Sequence, residues 1–132
     1  MDPTIGSLDY VYAPSTDVAA DVHWLVDGAG AELVFAIDDG GTRVAMLRVG
    51  EGGPAVLLTD HLPDERPVLL YRVSAIDEAA ARLRAGGWTP DRTLELPMGP
   101  CTTFHAPGGL RVAVYELNRG FVVDSMVGRR DF

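Results

Sequence analysis

Tyrosine and arginine side chains alternate with apolar ones along several β-rich runs of this 132-residue chain. Alternate side chains of a strand lie on the same face of a sheet, so each run has one mixed face and one nearly all-apolar face. The aromatic and polar residues of the mixed face are Tyr10, Tyr12, Thr59, Arg72, Arg111 and Tyr115. Aromatic rings offer stacking and cation–π contacts, and a guanidinium binds a carboxylate through two hydrogen bonds. This set predicts the lining of a ligand cavity, whereas a sheet surface that faces solvent or a partner subunit is the alternative.

The apolar phase of the same runs indicates which face of the sheet is covered by helices. It consists of Val11, Val56, Leu58, Leu69, Tyr71, Val73, Val112 and Val114. Packing such a row against a helix removes apolar surface from water. We therefore expect the helices on this face and the mixed residues on the opposite one.

The stretch 67–88 contains a strand and a helix with both ends marked. Residues 68–73 are rich in Val, Leu and Tyr, which favours a strand. Ser74 stands where a helix N-cap belongs, and we expect its hydroxyl to accept the amide of Asp77. Gly86 and Gly87 end the helix. Its apolar face, at helical spacing, is Ile76, Ala79, Ala80 and Leu83.

The same arrangement occurs 58 residues earlier in the chain. Residues 8–12 predict a strand, residues 15–17 (Ser-Thr-Asp) a helix cap, and Gly28 and Gly30 the helix end. The apolar face of this helix is Val18, Val22, Leu25 and Val26. Three short β-rich runs follow each helix, at 32–37, 43–49 and 55–59 and again at 92–96, 101–105 and 111–117. This repeat predicts one domain of two βαβββ modules, residues 7–60 and 67–117, with a C-terminal tail at 118–132.

Composition excludes several classes of partner. The formal net charge of −8 makes nucleic acid and anionic membranes poor partners and is more compatible with a neutral or cationic small ligand. The sequence shows neither an apolar run of about 20 residues, the length of a membrane span, nor a signal peptide. A single cysteine, Cys101, excludes an intramolecular disulfide and favours a reducing, cytoplasmic location.

Two runs resemble the vicinal oxygen chelate superfamily, which includes glyoxalase I, bleomycin-resistance proteins, extradiol dioxygenases and fosfomycin-resistance enzymes. YRVSAIDEAAARLRAGGW resembles the strand and helix that open its second module, and FHAPGGLRVAVYEL resembles its closing hairpin. The resemblance covers about residues 7–117. It implies an α+β fold in which two βαβββ modules form a cupped mixed β-sheet with helices on the outer face.

The resemblance also implies where a metal would be held. Metal-using members place His or Glu on the first and last strand of each module. The equivalent positions in this chain are Tyr10, Leu57, Val68 and Ala113, and the hairpin's usual Asp and Asn are Ala106 and Leu110. Hydrocarbon side chains cannot ligate a metal and a neutral phenol is a poor ligand, so we predict no metal and no cofactor.

Other reactive residues form no recognisable motif. His23, His61 and His105 come from a helix, a loop and a strand end and lack the spacing of metal ligands. Trp24 either packs near the end of the first helix or reaches the mouth of the cavity. A lone cysteine such as Cys101 is by default a buried, inert thiol.

We therefore expect a metal-free small-molecule-binding protein of the glyoxalase/bleomycin-resistance type, which sequesters an aromatic or cationic metabolite or antibiotic. The alternative is a metal-dependent lyase, isomerase or dioxygenase of the same superfamily. The apolar part of the tail, residues 121–126, packs either on the chain's own sheet or on a partner subunit. We predict a homodimer, because members of the superfamily commonly pair two chains.

Overall fold

The computed structural model describes residues 5–61 and 66–132. The chain forms two compact units. Of the described residues, the first unit contains 10–61, 66–67 and 126–132, and the second contains 5–9 and 68–125. Each contains one of the two predicted βαβββ modules, so the α+β architecture read from the sequence is confirmed.

The first unit is a four-stranded mixed sheet with one helix. Its elements are β1 (Leu8–Pro14, from Tyr10 onward), α1 (Val18–Ala29), β2 (Glu32–Asp39), β3 (Thr42–Arg48) and β4 (Ala55–Thr59). The strand order is β2-β3-β4-β1, with β4 and β1 parallel and the other pairs antiparallel. The Asp17 side chain caps α1 by accepting the amide of Ala20, and Gly30 ends it in the left-handed conformation at φ 70°.

The second unit repeats this plan. Its elements are β5 (Val68–Val73), α2 (Ile76–Ala85), β6 (Thr89–Leu96), β7 (Gly99–His105), β8 (Arg111–Glu116) and α3 (Gly120–Met126). The strand order is β5-β8-β7-β6, with β5 and β8 parallel and the other pairs antiparallel.

Each unit has its own apolar core on the face that the sequence assigns to the helices. In the first unit Val18 and Val22 of α1 pack with Leu58 and Val56 of β4. The core of the second unit contains Ala79, Ala80 and Leu83 of α2 and Val73, Phe104 and Val114 of the strands. The predicted apolar phase is therefore confirmed for Val56, Leu58, Val73 and Val114.

The cap of α2 differs from the prediction. Ser74 does not cap this helix; the N-cap position is Ala75, whose side chain makes no capping hydrogen bond. Instead, the amide of Ile76 donates to Oε1 of Glu116 at 3.1 Å. The carboxylate comes from the end of β8, 40 residues along the chain, so the local sequence around Ser74 does not reveal it.

The C-terminal tail ends on the first unit. Gly128 and Asp131 donate backbone hydrogen bonds to Val34 and Ala36 of β2, and Ala36 donates to Arg129. Phe132 packs against the core of this unit, with the Arg43 guanidinium 4.6 Å from its ring centre. Residues 128–132 thus pack on the chain's own sheet, whereas α3 has no buried residue among those described.

Within the described residues, no helix combines the length and apolarity that a membrane crossing requires.

Candidate functional site

Arg72 and Tyr115 share one carboxylate, that of Asp9. They face each other in the register of β5 and β8. Nε of Arg72 donates to Oδ2 of Asp9 at 2.7 Å, and the Tyr115 hydroxyl donates to the same oxygen at 2.5 Å. The Ser7 hydroxyl donates to Oδ1 at 2.7 Å. We call these four residues the Asp9 cluster.

Asp9 is ionised at neutral pH. Burial opposes the negative charge, but the hydrogen bonds from Tyr115, Ser7 and Arg72, together with the Arg72 charge, hold the pKa of Asp9 below its usual 3.8. The hydrogen bond to Asp9 in turn raises the pKa of Arg72. The charge of Arg72, an expected anion anchor, is thus already partly compensated within the protein.

Beside the Asp9 cluster lies a groove with a volume of about 320 Å³. It is lined by Gly6, Ser7, Arg72, Val73, Ser74, Glu116 and Leu117. The Arg72 side chain remains 48% exposed there. The amide of Gly6 donates to the Arg72 carbonyl, and a Cβ at position 6 would lie only 2.7 Å from that oxygen. Glycine therefore lets this wall of the groove approach β5 closely.

Arg111 belongs to a different group of side chains in the same unit. It is buried, and its Nη2 lies 3.8 Å from Oδ2 of Asp91. This carboxylate also accepts a hydrogen bond from the Thr103 hydroxyl at 3.3 Å and lies 3.6 Å from Nδ1 of His105. Asp91 gives the buried guanidinium an internal counter-charge.

In the first unit, Tyr12 and Thr59 meet at His61. The Tyr12 hydroxyl lies 3.3 Å from Nε2 of His61, and the Thr59 hydroxyl hydrogen-bonds Nδ1. The rings of Tyr12 and His61 pack edge to face with centres 6.2 Å apart. Tyr10 is half-buried on β1, and Trp24 is 74% exposed on α1, where none of the described ring contacts joins it to this group.

The residues that the sequence resemblance equates with metal ligands do not fit a metal. Leu57, Val68 and Ala113 are buried, and their hydrocarbon side chains have no lone pair to donate. Tyr10 alone would supply an oxygen. Across residues 5–61 and 66–132, no three His, Cys, Asp or Glu side chains lie close enough together to hold an ion.

Sequence reasoning missed Asp9 and Asp91 as acidic partners, Glu116 as the acceptor of the Ile76 amide, and His61 as the partner of Tyr12. One signal for Asp9 was available, because it stands in the same phase as Val11, where an apolar residue is expected. The partners of the other acidic residues lie on other strands or on a helix start, where no local pattern indicates them.

The comparisons with known proteins identify the fold. No protein family model and no curated protein matches this sequence. The solved methylmalonyl-CoA epimerase from Mycobacterium tuberculosis is 22% identical, with a TM-score of 0.74 over 92% of this chain and 94% of that one.

Two other solved structures are similar in fold. A variant of Streptomyces coelicolor methylmalonyl-CoA epimerase in complex with 2-nitronate-propionyl-CoA is 17% identical, with a TM-score of 0.69 over 86% of this chain and 99% of that one. A hypothetical protein from Bacillus halodurans C-125 is 16% identical, with a TM-score of 0.68 over 83% and 93%. At these identities the likeness establishes the fold alone. The chain has the vicinal oxygen chelate fold, as its sequence resemblance predicted.

Proposed function

We propose that this chain is a metal-free small-molecule-binding protein built on the vicinal oxygen chelate fold. One observation carries the proposal: at three of the four positions that the sequence resemblance equates with metal ligands, the chain has the buried hydrocarbon residues Leu57, Val68 and Ala113. Placing metal ligands at these positions would take several substitutions of buried residues. The chain therefore lacks several metal-ligating side chains and not just one.

The other reactive groups favour binding over chemistry. Cys101 is buried, and burial raises the pKa of its thiol to about 12, so no nucleophilic thiolate forms at neutral pH. The charges of Arg72 and Arg111 are both matched by carboxylates inside the protein. An aromatic or cationic metabolite or antibiotic, held without being changed, suits such a site in a chain of net charge −8. We further propose a cytosolic location, in keeping with the single free thiol. We also propose that the chain forms a homodimer.

The alternative function is a metal-dependent enzyme of the same superfamily. It is favoured by the similar solved structures, several of which are methylmalonyl-CoA epimerases, one of them in complex with methylmalonyl-CoA and NH4+. Such an enzyme would have to bind its metal through residues at positions other than the four named above. The two functions therefore differ in a quantity that is simple to measure, the metal content.

The test is a metal analysis of the purified chain, combined with thermal unfolding in Zn²⁺, Ni²⁺, Mn²⁺ and Co²⁺. We expect well below one ion per chain and a melting temperature that changes by less than about 1 °C, because only an ion bound to the native state raises stability. Tyr10→Phe removes the one side-chain oxygen among the four positions. It should change neither the metal content nor the response of the melting temperature to metal. One ion per chain, with a melting temperature several degrees higher, would overturn the proposal.

A second arm tests the alternative directly. Epimerisation of methylmalonyl-CoA requires removal of the proton at C2, which NMR detects as deuterium exchange in D₂O. We expect no exchange above the rate without protein, with or without added metal. Exchange that depends on metal would support the enzyme.

A further inference from the structure

We propose that residues 128–132 are a detachable cover that keeps the open edge of β2 from pairing with β2 of a second copy of the chain. The open edge is the row of backbone amides and carbonyls on the side of β2 that faces away from β3. When the cover is released, we expect the β2 edges of two copies to pair. This inference goes beyond the proposed function and does not depend on it.

The position of β2 in the sheet makes its edge a site for strand pairing. In the strand order of the described residues, β2 is the outermost strand of the first unit and pairs on one side with β3. The backbone amides and carbonyls on the other side of such a strand can accept a further strand, from the same chain or from another one. This edge therefore has to be covered or blocked if the chain is to avoid association through it.

Residues 128–132 lie along this edge as a short parallel strand. The amides of Gly128 and Asp131 donate to carbonyls of β2 at 2.8 and 2.7 Å, and the amide of Ala36 donates to the segment at 2.8 Å. Ala36 and Arg130 form a parallel β-bridge. The segment thus makes the hydrogen bonds that a strand from a second copy would make.

Three side chains hold the segment on the first unit. The Arg130 guanidinium donates to two carbonyls of β2, at 2.6 and 3.0 Å. The Asp131 carboxylate accepts the amide of Asp38 at 2.9 Å. Phe132 is half-buried against the apolar core, 4.6 Å from the Arg43 guanidinium. Because these anchors are few, substituting two of them should release the cover while α1 still packs on the sheet.

The sequence of β2 favours association once the edge is open. Residues 33–37 are Leu-Val-Phe-Ala-Ile, a β-rich run without charge, proline or glycine, which is the pattern of an aggregation-prone strand. The outermost strand of the second unit, β6, instead contains residues that block an edge: Pro90, Asp91, Arg92 and Glu95. Since β2 has no such residue in this run, the segment at 128–132 takes over the protection.

The partner that fits the open edge is β2 of a second copy. A twofold axis brings the same strand of two copies together in antiparallel orientation, so that each edge supplies donors and acceptors to the other. No third component is needed. Assembly after release should therefore depend on protein concentration alone.

The first test uses the double variant Arg130→Gln/Phe132→Ser, whose folding is verified by circular dichroism. At low micromolar concentration we expect the amides of Ala36 and Asp38, which donate to the segment, to exchange with D₂O at least about tenfold faster than in the wild type. At high concentration, light scattering should give a mass above that of the wild type at the same concentration. The same two amides should then be protected again.

Gly128→Pro releases the cover by a different route. Gly128 has φ 86°, which proline cannot adopt, and proline has no amide to donate to β2. This variant decides the question alone if the double variant does not fold. The matched control is Arg82→Gln/Leu110→Ser, which makes the same change in charge and replaces an apolar residue, but at exposed positions of the second unit. It should behave like the wild type in both measurements.

Four results would overturn the inference. Unchanged exchange of the two amides in both variants would show that these contacts do not hold the segment. Faster exchange without a gain in mass would show that the open edge does not pair. A gain in mass that leaves the two amides unprotected, or an equal gain in the control, would assign the assembly to another surface.

Discussion

At the scale of single residues, Asp9 is the shared acceptor of one polar cluster of the second unit. It accepts hydrogen bonds from Ser7, Arg72 and Tyr115, and its side chain is only 14% exposed. Hydrogen bonds to a charged group are stronger than neutral ones. Removing the Asp9 carboxylate should therefore lower the stability of this unit as well as affect ligand binding.

We predict that Asp9→Asn lowers the free energy of unfolding at pH 7 by about 1–3 kcal/mol, a value that allows for solvent screening of the half-exposed Arg72. Because the folded-state pKa of Asp9 is lowered, its contribution is fully present above pH 3.8, the usual value, and is lost as the pH falls through the folded-state pKa. Urea unfolding at several pH values checks this. The difference in the free energy of unfolding between the wild type and the variant should become smaller below pH 3.8.

The control is Asp124→Asn, at an exposed carboxylate on α3. It should change stability by less than about 0.5 kcal/mol at any pH tested. An Asp9→Asn protein as stable as wild type at pH 7 would show that the Asp9 cluster contributes nothing to folding.

Cys101 provides a second test at this scale. It is 2% exposed, and its pKa is raised to about 12, so the thiol stays protonated and shielded. We predict that a thiol reagent such as 5,5′-dithiobis(2-nitrobenzoic acid) labels it only slowly at pH 8, and stoichiometrically once guanidinium unfolds the chain. Labelling of the native protein within seconds would refute this.

At the scale of elements, α1 and α2 begin by different means. α1 has a local cap, because Asp17 accepts the amide of Ala20 three residues later. α2 has a distant cap, because Glu116 of β8 accepts the amide of Ile76. The start of α2 therefore depends on the pairing of β5 with β8, whereas α1 begins with a signal inside its own sequence.

We predict that Glu116→Ala lowers the free energy of unfolding by about 1 kcal/mol, the usual cost of losing a helix cap. Glu116→Gln should cost less, since the amide oxygen still accepts from Ile76. Ser74→Ala, at the position where the sequence places the cap, should be nearly neutral, while Asp17→Ala should resemble Glu116→Ala. Chemical denaturation of the four variants compares them. A Ser74→Ala variant more destabilised than Glu116→Ala would reverse the assignment of the cap.

At the scale of the whole molecule, the apolar surface of α3 bears on assembly. Phe121, on this helix, is 70% exposed. Contact with a second copy would remove this surface from water. The homodimer expected from the sequence stays a prediction, and this surface is where we place the contact.

Light scattering at micromolar concentration should give twice the chain mass of 14.1 kDa for the wild type. Phe121→Ser should weaken the dimer and shift the measured mass toward the monomer. Leu110→Ser is the matched control, because Leu110 is also exposed, at 56%, but belongs to the turn between β7 and β8. A wild-type monomer, or equal effects of the two variants, would contradict this placement.

The sequence by itself determined the elements and their faces. The predicted bounds of β4 and β5 match the structure. Four residues of the apolar phase pack with the helices: Val56, Leu58, Val73 and Val114. Arg72 and Tyr115 were also predicted on one face, which their register confirms. These features follow from periodicity, capping and glycine positions, whose signals extend over a few neighbouring residues.

Only the tertiary structure decided which side chains meet. Asp9 reaches Tyr115 across 106 residues, Glu116 reaches Ile76 across 40, and the Arg130 guanidinium binds carbonyls of β2 that lie 96 and 97 residues earlier. Such contacts depend on strand register and on the packing of helices against strands. A sequence pattern within either segment does not reveal these contacts, because each of the residues that form them would be equally acceptable on an exposed surface.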